Sequence, residues 1–177
     1  MQKNLLIFLA VLVFAIAGIL YLQKSGSDIV PTNTVDRFKN ISYIIDGRNV
    51  TLVDGYAEEE IAPDSATMLV TQYFGNRATG DLNGDGKEDI AFLLTQNGGG
   101  SGTYFYVVAA LKVADSYIGT NAIFLGDRIA PQTTEIYDGK LVVNYADHAT
   151  LDPMTTVPSV GVSRYLMVDG TALVEAQ

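Results

Sequence analysis

One stretch of the chain sets oxygen-bearing side chains at alternate positions: Asp81-Leu82-Asn83-Gly84-Asp85-Gly86-Lys87-Glu88-Asp89. Calcium is a hard cation that takes about six to eight oxygen ligands at roughly 2.3–2.6 Å. A compact loop with this spacing offers side-chain oxygens from Asp81, Asn83 and Asp85, the backbone carbonyl of Lys87, and a further carboxylate from Asp89. Gly86 falls where the chain must turn sharply around the ion. The carboxylates of Asp81, Asp85 and Asp89 neutralise the ion without leaving a large excess of repulsion. The alternative for the same residues is a solvated turn in which Asp and Asn side chains cap their own backbone. The expectation is one bound Ca2+ with a structural role, held with an affinity on the order of 10⁻⁴ M.

The spacing is similar to the first nine positions of an EF-hand loop. Position twelve, where that loop carries a bidentate Glu, is Phe92 here, and Ile90-Ala91-Phe92-Leu93-Leu94 reads as a strand rather than an exiting helix. The stretch more closely resembles the strand-flanked D-x-N-x-D-G-x-x-D loop of integrin-type propeller repeats, whose ninth residue closes the site. A propeller needs several blades and this chain has one such loop, so that likeness covers the loop and its strand only.

A wider resemblance rests on GDLNGDGKEDIAFLLTQNGGGSGTYFYVVAAL, FLGDRIAPQTTEI, VVNYADH and PSVGVSRYL. These segments resemble a family of uncharacterised bacterial envelope proteins, over about residues 43–166. In that family the block stands alone behind an export segment, or beside domains resembling heat-shock HslJ or lysozyme inhibitors. The resemblance implies export and a β-rich domain. It supplies no catalytic mechanism.

The elements that must position the loop are also legible. Residues 5–22, LLIFLAVLVFAIAGILYL, carry no charged or amide side chain. At helical rise they span about 27 Å, close to the hydrocarbon thickness of a bilayer. Residues 1–24 are therefore expected to be an uncleaved, single-pass signal-anchor helix. Lys3 before it favours a cytoplasmic amino end and an extracytoplasmic domain, periplasmic or extracellular. A cleaved signal peptide is the alternative, since Ala15-Ile16-Ala17 has the small-x-small form. Residues 25–40 read as a linker, and residues 41–177 as a single all-β or β-dominated domain, rich in antiparallel hairpins.

The hairpin signals are Asp46-Gly47, Asp138-Gly139 and Asp169-Gly170, each between runs of β-forming residues. Residues 90–95 and 103–113 are strongly apolar, and residues 104–108 suit a strand buried on both faces. Residues 109–113 are open to a bend or helical turn, and residues 65–74 to a short helix, with Met68, Leu69, Val70 and Phe74 on one side. Residues 122–125 read as a further strand.

The chain has 177 residues and a formal net charge of −9, with a pI near 4.4. Such a surface repels phosphate backbones, so nucleic acid is not an expected partner, whereas divalent cations and cationic proteins are attracted. The absence of cysteine excludes disulfides, thiolate metal sites and thiol catalysis. His148 is the only histidine. A triad would need Ser101, Ser159 or Ser163, none of which sits in a G-x-S-x-G elbow. Glu58-Glu59-Glu60 reads as a solvated acidic run. Asp127-Arg128 is either a displayed functional pair or a salt bridge fixing a turn, and Asn97 to Gly102 either a contact loop or a connection.

The expected function is that of a membrane-anchored envelope protein with a calcium-stabilised, non-catalytic binding or structural domain. Its expected partners are the membrane, through the N-terminal helix, and a cationic protein or cell-wall component. Two alternatives stand beside this. One is an inhibitor of a cationic wall-lytic enzyme of the lysozyme type, and the other a carboxylate-based wall hydrolase.

Overall fold

The structure, a computed structural model, describes residues 34–153 and 155–176. Val35–Gln177 forms one compact unit. The expected anchor at residues 1–24 and most of the expected linker lie outside the described residues. Among the described residues no helix is long and apolar enough to cross a membrane.

A 3-10 helix, Thr34–Asn40, leads into the hairpin of β1 (Ser42–Ile45) and β2 (Arg48–Thr51). Strands β3 (Tyr56–Glu60), β4 (Met68–Gly80), β5 (Asp89–Asn97), β6 (Tyr104–Val113) and β7 (Ser116–Gly119) then pair antiparallel in chain order. Strand β8 (Ile123–Asp127) pairs with the first half of β6, leaving the second half to β7. A separate antiparallel sheet holds β9 (Ala130–Tyr137), β10 (Lys140–Asp147), β11 (Val160–Asp169) and β12 (Ala172–Glu175), in the order β12-β11-β10-β9. The β-dominated, hairpin-rich class expected from the sequence is the observed one.

The Asp-Gly turns account for much of this connectivity. At Asp46-Gly47 both residues have positive φ, 48° and 76°, and at Asp138-Gly139 they have 49° and 69°. That is the type I′ geometry whose twist matches paired strands, and Gly adopts it without steric cost. The third turn is shifted by one residue. Asp169 pairs with Ala172, so the central residues are Gly170 and Thr171, with Gly170 at φ 62°, a type II′ arrangement. A further Asp-Gly turn, Asp54-Gly55, links Val53 to Tyr56. Its Gly55 N–H donates to the Lys39 carbonyl at 2.8 Å, and its carbonyl accepts from Tyr73 N–H at 2.7 Å.

The centre of the larger sheet has no wet face. Along β5, Ala91 and Leu93 enter one core while Ile90, Phe92 and Leu94 enter another. Along β6, Phe105, Val107, Ala109 and Leu111 alternate in the same way with Tyr106, Val108 and Ala110. The first core is closed by Leu141, Val143 and Tyr145 of β10, Leu166 of β11 and Leu173 of β12. The second is closed by Tyr43, Ile45, Val50 and Leu52 of the small hairpin and by Phe38 of the 3-10 helix. Two-sided burial of β6 agrees with the sequence from Phe105 to Val108, whereas Tyr104, expected to be buried with them, is exposed; residues 109–113 continue the strand without bending into a helix.

Two local expectations change. Residues 68–74 belong to β4, not to a helix; the strand breaks register between Tyr73 and Ala78, where Gly75 and Asn76 have positive φ. Of the residues that suggested a helical face, Met68, Leu69 and Val70 pair in regular register with β3, and only Phe74 falls at the irregularity. The 3-10 helix also falls within the span read as linker, yet its Phe38 is fully buried, with Phe92 at 5.0 Å and Tyr73 at 5.9 Å between ring centroids. At the outer edge of the larger sheet, β3 turns Glu59 towards Arg48, 3.3 Å away, and leaves Glu58 and Glu60 exposed.

Removing a buried phenylalanine costs about 3–5 kcal/mol through lost transfer energy and the cavity left behind. Phe38→Ala should therefore lower the unfolding free energy by about 3 kcal/mol in a urea titration. A loss below about 1 kcal/mol would show that the helix is peripheral to the fold.

Candidate functional site

The acidic loop joins β4 to β5, with Gly80 paired to Asp89 at its base. It is strand-flanked on both sides; the exiting strand is the one the sequence implied, and the entering one, β4, replaces the helix left open for residues 65–74. Gly84 and Gly86 have φ of 77° and 78°, so the two glycines sit where an L side chain would be strained. Leu82 plunges into the core between the sheets and pins the loop from below.

The loop's oxygens face inward to its own backbone. Asp81 Oδ1 accepts from the N–H groups of Gly84 (2.8 Å) and Asp85 (3.2 Å), and its Oδ2 from Gly86 N–H (2.8 Å). Asn83 Oδ1 accepts from Asp85 N–H at 3.0 Å, and Asp85 Oδ1 from Lys87 N–H at 2.9 Å. These are Asx turns, in which side-chain oxygens stand in for backbone acceptors. Among the described residues, no three acidic, His or Cys side chains converge to hold a metal as they stand. The five residues expected as ligands are thus brought into one loop, while the side chains of Asp81, Asn83, Asp85 and Asp89 are engaged with backbone N–H groups. Asp81 Oδ1 already accepts two N–H groups, but Asp81 Oδ2 and both oxygens of Asp85 each keep a second lone pair, so these bonds do not exhaust the donor capacity of the two carboxylates.

Positive charge is already drawn to this loop. Lys87 Nζ lies 2.7 Å from Asp85 Oδ2. The hydrogen bond to Asp85 chiefly raises the Lys87 ammonium above its ordinary range, with Asp89 and Asp81 adding to it. The same bond holds the Asp85 carboxyl below the usual carboxylate range. Asp89 differs from the others. It is fully buried, and its oxygens accept from Leu82 N–H at 2.9 Å and Lys112 N–H at 2.7 Å. It therefore fastens the loop's two ends together and to β6. Burial pushes its carboxyl above the ordinary range, against the lowering by those two N–H groups, and Asp85 and Asp81 push it further up.

The remaining candidates resolve into local roles. Arg128 Nε and Nη2 fork onto Asp127 at 2.8–3.2 Å, and Asp127 Oδ1 accepts from Thr103 N–H at 2.8 Å. Burial pushes the Asp127 carboxyl up, but these donors outweigh it and leave it below the usual range. The pair fixes the turn after β8, where Arg128 has φ 52°. His148 Nε2 meets the Thr156 carbonyl at 3.0 Å, and Ser163 Oγ donates to Asn144 at 2.6 Å, so this serine and the histidine have separate partners. One feature was not visible in the sequence. An open cleft brings together Asp46, Arg48, Gln96, Tyr104, Tyr106 and Phe124 from β5, β6, β8 and the small hairpin. Only the exposed aromatic positions of β6 and β8 hinted at it.

The raised Asp89 carboxyl makes a pH prediction for the metal-free chain. Its folded-state value lies above its unfolded one, so the folded state binds the proton more readily. Stability from this group is fully present below the unfolded value, about 4, and falls as pH rises through the folded value. In chelator, the unfolding free energy of the wild type should drop across mild acid relative to Asp89→Asn. Parallel pH profiles would remove the burial argument. Compared with protein-family models, with curated proteins and with solved structures, the chain matches none.

Proposed function

We propose that the chain is a membrane-anchored envelope protein whose extracytoplasmic domain is a calcium-stabilised, non-catalytic binding module. The observation that carries the calcium reading is the cation already held by the loop. The Lys87 ammonium sits on Asp85 in the field of Asp81 and Asp89, and Asp89 bears a carboxylate whose burial is costly unless positive charge lies near. A divalent ion taking the place of the ammonium would draw on Asp81, Asn83, Asp85, Asp89 and the Lys87 carbonyl. It would offset the desolvation of Asp89 more fully than a flexible lysine does. With no disulfide available, such an ion would tie β4 to β5 at the mouth of the first core. The anchor rests on the apolar run at residues 5–22.

Thermal melts in calcium, magnesium and chelator test this. A ligand specific to the native state stabilises by RT ln(1 + [L]/Kd), about 2.7 kcal/mol at one hundred times Kd. For a domain of this size that raises the melting temperature by about 5–10 °C. Calcium should do so for the wild type and have no effect on Asp85→Ala. Lys87→Met should melt lower in chelator yet reach its calcium-stabilised plateau at several-fold lower calcium, because the competing ammonium is gone. If millimolar calcium leaves the wild-type melt unchanged, the loop is a self-capped turn.

A further inference from the structure

At the end of β5 and β6 away from the acidic loop lies an open cleft of about 650 Å³, within the range of small-ligand sites. Gln96 lines it, and seven residues of extended strand put Gln96 about 24 Å from Asp89. The cleft and the loop share no residue.

Three rings build its wall. Tyr106 and Phe124 lie 5.4 Å apart between centroids, and Tyr104 and Phe124 6.4 Å. Tyr106 is buried as the floor, whereas Tyr104 and Phe124 stay 43% and 48% exposed. Adjacent aromatic faces left half in water are surfaces that a ligand covers. Their setting is fixed from behind. A side chain at Gly102 would meet Tyr104 Cζ and Oη at 3.1 Å, so the glycine connection passes close to the hydroxyl end of that ring. Tyr104 pairs with Asp127, whose fork with Arg128 holds the same corner.

The polar groups are few and convergent. Asp46, from the β1–β2 turn, accepts from the Tyr106 hydroxyl at 2.8 Å through Oδ2. Arg48 reaches the rim while paired at 3.3 Å with Glu59. Gln96 is only 3% exposed and donates from Nε2 to Thr71 Oγ1 at 3.0 Å. Its amide oxygen takes no donor from the described residues and stays open at the cleft to a partner's O–H or N–H. Asp46 and Arg48 carry opposite charges on one rim. Arg48 is shared with Glu59, so the rim offers hydrogen-bonding groups with a small acidic excess, a poor site for a polyanion.

We propose that this cleft binds a neutral saccharide chain. The apolar C–H face of a sugar ring stacks on the electron-rich faces of Tyr104 and Phe124, and its hydroxyl groups exchange hydrogen bonds with Asp46, Arg48 and Gln96. The open shape admits an internal stretch of a polymer as readily as an end. This inference deepens the binding-module reading by naming a ligand class and does not use the calcium loop.

The test is calorimetric titration of the full chain, kept in a polyoxyethylene detergent that carries no sugar. The probes are a tetramer of β-1,4-linked N-acetylglucosamine, cellotetraose and a tetralysine peptide. At least one saccharide should bind saturably, equally well in chelator and in calcium. Phe124→Ala should weaken it about tenfold, with its melting temperature showing that the fold is kept. Tyr137→Ala, which removes an exposed ring outside the cleft, should bind like the wild type. The proposal is overturned if neither saccharide binds at millimolar concentration, or if Phe124→Ala binds as tightly as the wild type. Binding of tetralysine alone also overturns it and reassigns the cleft to a cationic ligand. Loss of calcium stabilisation with saccharide binding intact would sink the metal reading only.

Discussion

Because Ile90, Phe92 and Leu94 point to one side of the central sheet and Ala91 and Leu93 to the other, all of them buried, that sheet needs a covering layer on each face. The four-stranded sheet supplies one layer. The other is only a two-stranded hairpin and a single 3-10 helix, so a few large side chains must do the covering. Tyr43, Phe38 and Phe92 are fully buried there, and the ring contacts among them are tilted or edge-on, as aromatic quadrupoles prefer. The hairpin is held in place by backbone bonds from Ile44 N–H to the Thr120 carbonyl and from Ala122 N–H to the Ile44 carbonyl. Gly119 allows this approach, since a side chain there would lie 2.1 Å from the Ser42 carbonyl oxygen.

A strand pair with both faces dry can display polar chemistry only at its ends. That is where it is found. At one end Asp89 closes the acidic loop, and at the other Gln96 and Tyr104 open onto the cleft. The acidic end carries the larger electrostatic strain. A buried carboxylate satisfied by two N–H groups is hydrogen-bonded but not neutralised, and the loop's own cation, the Lys87 ammonium, is held by Asp85. The Asx turns draw on Gly84 and Gly86, both of which hold the left-handed region.

How much of this was legible depended on whether the signal was local. The Asp46-Gly47 and Asp138-Gly139 turns announce themselves because two residues determine the geometry, and the unbroken apolar run of β6 reflects burial on both faces. The third turn slipped by one residue because Asp169 can end a strand as readily as begin a turn. The loop's membership was readable from spacing, but the inward rotation of its carboxylates depends on N–H groups that only the folded loop presents. Phe38 was hidden because a lone aromatic in a polar stretch has no periodicity to reveal its burial. The cleft was illegible for a different reason. Gln96, Tyr104 and Phe124 lie on strands that sheet pairing brings together, and Asp46 arrives only with the packing of the separate β1–β2 hairpin.

The acidic run on β3 has a meaning that its composition does not suggest. β3 is the outer strand of the larger sheet, with Glu58, Glu59 and Glu60 on it. An outer strand has unpaired backbone groups along its free side, which invite a strand from another molecule. A second copy approaching that side would bring its own glutamates against these, of which only Glu59 has a countercharge, from Arg48. Like-charge repulsion at the bare edge thus works against growth into a larger sheet.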